Sequence, residues 1–281
     1  MTRQLVNFLY IGPGKSGSTW LHEVFLSHPE IYFPEAKDLY FFSRYYDRGL
    51  GWYSAQFRAA RPEHKIVGEV CPEYLSSEKA AERIRECLGP DVRLMVTLRE
   101  PASRAFSSYL YLQKHGLAAP TFIQTAQQVP TLLGEGRYGT HLRRYLRRFD
   151  RESLHVAVFD DLQANPQAFL NDVTHWLGVG RHVVSPQQLE ARLPAASARW
   201  LPLAAAVGHT ANWVRHHDGA NLVGRVKRSK LVQRVLYRPL GDNGPTMSLE
   251  DVSYVRERLD QEIAEVEDEF GLVLRKRWGW Q

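Results

Sequence analysis

Apolar and polar positions come in blocks along this chain, and the blocks alternate between two periods. Val6-Asn7-Phe8-Leu9-Tyr10-Ile11 is a mostly apolar run of strand length, the pattern of a strand buried on both faces. Ile66–Val70, Arg93–Leu98 and His155–Phe159 repeat it. Between them the spacing turns helical. Ser18 to Ser27 places Leu21, Val24 and Phe25 on one face, and His28-Pro29 stops it. Helices are predicted over Glu78–Leu88, ended by Gly89-Pro90, from Pro101 to about Lys114, over Thr140–Phe149, and from Asn165 to Leu177, closed by Gly178. A long amphipathic helix follows from Ser248 to Phe270, with Val252, Val255, Leu259, Ile263 and Val266 in register. Strands alternating with helices predict an α/β protein whose parallel sheet is covered on both sides. Ile31 to Gly51 is aromatic without a period, Pro120 to Arg137 reads as an excursion, and residues 181 to 247 give no clear element.

Composition narrows the picture. With 281 residues, 44% of them hydrophobic, and no Pro/Gly/Ser-rich linker, the chain reads as one domain over 1–281. A net charge of +5 suits an anionic ligand and does not by itself call for nucleic acid. Two cysteines, Cys71 and Cys87, are too few for a disulfide framework and point to a reducing, cytoplasmic setting. No apolar run reaches membrane-span length, and the first residues lack signal-peptide character, so no stable membrane anchor is expected. The eleven histidines form no H-x-x-x-H pair, and no metal site is expected. Oligomeric state is not legible.

Two segments carry chemistry. Gly12-Pro13-Gly14-Lys15-Ser16-Gly17 lies between the first strand and the first helix. Such a loop offers backbone N–H groups and a helix dipole to an anion, and Lys15 adds a full charge. Gly12 and Gly17 have the glycine spacing of the nucleotide-kinase loop, yet Ser18 stands where its lysine belongs. That mismatch demotes the main alternative, a P-loop small-molecule kinase. The second segment is Leu98-Arg99-Glu100-Pro101-Ala102-Ser103-Arg104-Ala105-Phe106-Ser107-Ser108-Tyr109, again at a strand end entering a helix. Arg99 can make a bidentate contact with a phosphate, and Arg104 can pair with an acid to hold the turn.

Gly14 to Leu21 resembles the 5′-phosphosulfate loop of sulfotransferases that use 3′-phosphoadenosine-5′-phosphosulfate (PAPS, product PAP), and Arg99 to Tyr109 resembles their 3′-phosphate motif. The resemblance is to bacterial-type members similar to heparan sulfate and carbohydrate sulfotransferase domains. It implies their fold, a P-loop-like three-layer α/β/α arrangement with a central parallel sheet, and in-line sulfuryl transfer without metal to a hydroxyl or amine. The acceptor is expected to be a small molecule, lipid or carbohydrate. Lys15, Ser16, Gly17, Ser18, Thr19 and Trp20 are then expected at the 5′ end, and Arg99 and Ser107 at the 3′ end. Phe33 to Phe42 is similar to a segment holding the family's glutamate base, which implies Asp38 as base with Glu35 in reserve. Glu69 to Tyr74 is similar to an E-K-[TS]-P-x-Y segment, with Val70 replacing the lysine. In relatives a basic loop before the last helix closes over the 3′-phosphate, which implies Lys227 and Arg228. Against this stand a binding protein without catalysis, and a nucleic-acid binder using the basic helix of 140–151 and the late cluster of Arg225, Lys227, Arg228 and Lys230.

Overall fold

The four apolar runs form strands because no other element buries both faces of a short β-branched segment. The chain's computed structural model describes residues 6–190 and 245–280, and the backbone of Ala196–Ala198 and Tyr237–Pro239. It divides into two compact units, Met1–Arg99 with Arg137–Arg192 and Gln261–Gln281, and Glu100–Gly136 with Leu193–Asp260.

The first unit holds a five-stranded sheet of β1 (Phe8–Gly12), β2 (Ile31–Tyr32), β3 (Ile66–Val70), β4 (Arg93–Leu98) and β5 (Leu154–Val158). Their order is β2-β3-β1-β4-β5, and every pairing is parallel. Side chains alternate across it. Phe8, Tyr10, Ile66, Val70 and Met95 pack into one cluster with Leu21, Val24 and Phe25 of α1 (Ser18–Phe25) and Leu170, Val173 and Leu177 of a later helix, Pro166–Leu177. Leu9, Ile11, Leu94 and Val96 point the other way and are also fully buried, so both faces are covered, as a parallel sheet requires.

The expected strands at 66–70 and 93–98 match residue for residue, and the others shift by one or two positions. The aromatic stretch after residue 31 supplies the two-residue edge strand β2 and a short helix, α2 (Gly49–Ala55). Phe41, Phe42, Tyr53 and Phe57 stack in its core. The contacts of Phe41 and Phe42 with Tyr53 reach across the intervening loop, so no local period announces them.

In the second unit, helix Pro101–Lys114 runs over the predicted span. Pro120 to Arg137, expected as an excursion, instead carries two short helices, Phe122–Gln128 and Thr131–Gly134, within these bounds. The Thr121 hydroxyl caps the first by accepting the Gln124 amide at 3.2 Å. Arg104 is fully buried and donates to Glu135 at 3.1 Å and to the Leu132 carbonyl. The expectation that Arg104 pairs with an acid and holds a turn is met. Ala196–Ala198 pairs antiparallel with Tyr237–Pro239 in this unit. Lys227 and Arg228 lie outside the described residues.

Candidate active site

Strand β1 is central, with β3 on one side and β4 on the other. The chain leaves β1 toward the β2 edge and leaves β4 toward the β5 edge. Loops that diverge at the carboxyl ends of adjacent parallel strands open a crevice, where α/β proteins bind ligands. The two predicted anion motifs are the loops that follow β1 and β4.

Local forces shape the first loop. Lys15 takes a left-handed backbone, φ 68°, and Gly17 another, φ 87°. A Cβ on Gly17 would fall 2.5 Å from Leu162 Cδ2 and 3.3 Å from Phe159 Cε2, so only glycine fits. The buried Tyr10 hydroxyl lies beneath the loop, 3.4 Å from the Pro13 carbonyl and 3.5 Å from that of Ser16. Helix α1 opens when the Gly17 carbonyl accepts the Leu21 amide at 3.0 Å. The amides of Ser18, Thr19 and Trp20 therefore have no carbonyl within the helix to bond. Among the described residues no side chain caps this end, and its first turn holds no acid. The Ser16 hydroxyl is buried without a hydrogen-bond partner among the described residues, which leaves a desolvation cost of about 1–3 kcal/mol for a ligand to relieve.

Arg99 reaches this loop. Its Nη1 donates to the Lys15 carbonyl at 2.7 Å, and its guanidinium lies over the Phe159 ring, 4.8 Å from the centre. The Tyr138 hydroxyl donates to the Arg99 carbonyl at 2.8 Å. Phe159 thus underlies both Gly17 and Arg99, and the two motifs are in direct contact. Glu100, the next motif residue, spends its carboxylate on its own helix, accepting the amides of Ala102 at 3.2 Å and Ser103 at 2.6 Å. That helix start is already capped by an anion, whereas α1 is not. Ser107 stands half-buried on the same helix, in the second unit.

Trp20 uses its indole differently from the other loop residues. Nε1 donates to the Gln188 carbonyl at 3.0 Å, and the ring packs edge-on to Phe169 at 6.1 Å. What remains for a ligand is its backbone amide.

Asp38 also sits at the carboxyl edge, since its amide donates to the Val70 carbonyl at 2.9 Å, at the end of β3. Its backbone is left-handed, φ 63°, as is that of Tyr40, φ 56°. Lys37 Nζ lies 3.1 Å from its Oδ1 and 3.4 Å from Oδ2. Glu35 is half-buried in the same segment.

One residue with unusual surroundings was not singled out from sequence. Glu69 is fully buried on β3, and its pKa is raised from 4.5 to about 7, chiefly by loss of water, with repulsion from Asp38 adding to it. Tyr74, Tyr53 and the Leu39 amide act in the opposite direction. Its signal in the sequence is a carboxylate in an otherwise apolar strand.

Four arginines of 140–151, namely Arg143, Arg144, Arg148 and Arg151, make hydrogen bonds within the protein. Arg143 pairs with Glu265, and Arg144 donates to the carbonyls of Leu75 at 3.5 Å and Ser77 at 3.4 Å. A recess of about 340 Å³ lined by Asn7, Ile66, Asp91 and Arg93 lies at the amino ends of the strands, the edge where this architecture does not place its chemistry. Among the described residues no helix is long and apolar enough to cross a membrane, and no group of three or more His, Cys, Asp or Glu could hold a metal.

A glycine-bearing loop after a central parallel strand, an uncapped helix start and an arginine from the next strand form the arrangement that α/β proteins of the mononucleotide class offer to phosphates. The comparisons agree with that class and narrow it. A family profile described as "Sulfotransferase domain" matches residues 7–197, more than half of the chain, and the chain belongs to that family. Human heparan sulfate glucosamine 3-O-sulfotransferase 3B1 is 30% identical over 189 residues, covering 64% of this chain and 48% of that protein. The membrane-associated sulfotransferase kil1 of Dictyostelium discoideum is 34% identical over 107 residues, covering 37% of this chain and 22% of that protein. The chain thus spans less than half the length of these curated relatives. Among solved structures, a sulfotransferase from Alicyclobacillus acidocaldarius has the same fold with a TM-score of 0.57 at 24% identity, covering 82% of this chain and 98% of that one. The sulfotransferase domain of the curacin biosynthetic pathway superposes with a TM-score of 0.52 at 14% identity, covering 91% and 97%.

Proposed function

We propose that the chain transfers a sulfuryl group from PAPS to a hydroxyl or amine of a small-molecule, lipid or carbohydrate acceptor. The observation that carries this reading is the contact of Arg99 with the Lys15 carbonyl, which joins the two motifs at one crevice. The residues present suit the donor. Three helix-start amides, an orphaned Ser16 hydroxyl and a lysine converge where an anionic phosphosulfate would need donors. When bound, PAPS supplies an activated sulfuryl group on a phosphate leaving group.

The chain's own groups then have distinct tasks. Gly17, Ser18, Thr19 and Trp20 offer backbone amides, and Ser16 its hydroxyl, to the 5′ end. Lys15 supplies positive charge where negative charge grows on the departing phosphate, which favours the transition state over the ground state. Arg99 holds the 3′-phosphate. Ser107 is assigned to the same phosphate on its place in the motif alone. Asp38 accepts the acceptor's proton at a carboxylate oxygen, Glu35 being the reserve. Free Cys71 and Cys87 suit a reducing compartment such as the cytoplasm.

The test is transfer of label from [³⁵S]PAPS across acceptor classes, beside Lys15→Ala. Loss of a charge-stabilising contact of this kind costs on the order of 3 kcal/mol, roughly 10²-fold in rate. Unchanged transfer by that variant removes the mechanism.

A further inference from the structure

Strand β3 carries one charged residue, Glu69, among Ile66, Val67, Gly68 and Val70, all of them buried. A carboxylate so placed opposes burial of its strand unless its surroundings use it. The surroundings here converge on one short segment, residues 38–42. Glu69 Oε1 accepts the Tyr74 hydroxyl at 2.9 Å. The same hydroxyl accepts the Phe42 amide at 3.4 Å. The Leu39 amide faces the Glu69 carboxyl group as a further donor. Asp38 itself is tied to β3 through the Val70 carbonyl. Segment 38–42 is therefore anchored at its start by backbone and further along by Glu69, directly and through Tyr74.

That anchoring has work to do. Asp38 and Tyr40 both hold left-handed backbones, which side chains bearing a Cβ avoid unless neighbours impose it. Among the described residues, Oε2 of Glu69 and the hydroxyl of Tyr53 lack partners at good hydrogen-bonding geometry, so the network has acceptor capacity in reserve. A buried, hydrogen-bonded carboxylate beneath a strained turn is more than filler for the core.

We propose that Glu69 is a positioning residue: it holds the 38–42 turn in its strained form and thereby sets where Asp38 stands at the carboxyl edge of the sheet. The inference rests on the reading of Asp38 as the base. The groups facing Glu69 are Tyr53 from α2, Tyr74 and Cys71 after β3, and Asp38 from the turn, with Lys37 paired to Asp38. Ionised Glu69 only accepts hydrogen bonds, whereas its protonated form gives up part of that capacity. Replacing one carboxylate oxygen by an NH2 group leaves a single acceptor for the Tyr74 hydroxyl and the Leu39 amide together.

The test compares wild type with Glu69→Gln, which keeps the shape but resembles the protonated acid, and with Tyr74→Phe. The first readout is amide hydrogen exchange across residues 38–42, measured by mass spectrometry with and without PAP. Glu69→Gln is expected to lose about tenfold or more of the wild-type protection there. Tyr74→Phe is expected to lose protection at Phe42. Residues 14–19 keep their protection and PAP affinity stays at wild type in both variants. Label transfer from [³⁵S]PAPS, to whichever acceptor the screen yields, is expected to fall with the protection at 38–42. Wild-type protection of 38–42 in both variants overturns the inference, as does a loss of PAP affinity that tracks the loss of transfer. Asp38→Asn separates the two levels. If it transfers at the wild-type rate, the reading of Asp38 as base fails and takes this inference with it. If it is inactive while Glu69→Gln keeps its protection, only the role of Glu69 fails.

Discussion

Gly17→Ala tests the loop geometry most directly, because its cost can be worked from two separate features. The first is conformational. Gly17 has φ 87° and ψ 1°, and holding an L-residue in the left-handed region costs roughly 1–2 kcal/mol. The second is steric. The new methyl would meet Leu162 Cδ2 at 2.5 Å, and Leu162 is itself buried against the core cluster. Driving that side chain off its rotamer adds about 0.5–1.5 kcal/mol. A total near 2–3 kcal/mol lowers the melting temperature by roughly 3–5 °C for a chain of this size. Urea unfolding of Gly17→Ala, Leu162→Ala and the double variant separates the two parts. Leu162→Ala alone loses stability by leaving a cavity, but it removes the steric half of the Gly17→Ala cost. The double variant should therefore be about 1 kcal/mol more stable than the sum of the singles. Repeating the titrations with PAP asks whether the deformed loop still binds, since a ligand of the folded state stabilises by mass action. Wild-type stability in Gly17→Ala, or strict additivity in the double variant, would refute the packing of Leu162 against this loop.

Other outcomes follow from the same contacts. Arg99→Ala removes charge-assisted bonds worth about 1.5–3 kcal/mol, so calorimetry should show PAP binding weakened roughly 10- to 100-fold; an unchanged affinity would take Arg99 out of the site. Arg104→Met strips the Leu132 carbonyl and the partly exposed Glu135 of their buried donor and should destabilise the protein by about 1–3 kcal/mol in urea; an unchanged stability would show that the pair is not structural. Glu69 has a folded pKa above its unfolded value, so its contribution is fully present below about pH 4.5 and fades as pH rises to about 7. A shift from 4.5 to about 7 corresponds to on the order of 3 kcal/mol. Relative to wild type, Glu69→Gln should therefore gain about that much stability between pH 4 and pH 8; parallel stability-versus-pH curves would contradict the burial of an ionisable group there.

Taken alone, the sequence determined the four longer strands of the sheet, the helices of eight residues or more, and the two loops that follow β1 and β4. Each is written locally, in an apolar run, a helical period, or a glycine and proline at a boundary. Gly12-Pro13-Gly14-Lys15-Ser16-Gly17 announces a tight loop wherever it is placed, and Arg99 at the end of β4 announces a strand-end cation. Only the tertiary structure decided that these loops are neighbours. Strand order places β1 beside β4, and no local pattern encodes order. The same holds for the aromatic stretch, whose helix α2 forms against Phe41 and Phe42, and for Trp20, whose indole turns to Gln188 across a sequence gap of 168. It holds most of all for Glu69, an ordinary carboxylate in the sequence. Its lost water and its place under residues 38–42 are products of folding, because desolvation and hydrogen-bond partners come from residues distant in the chain.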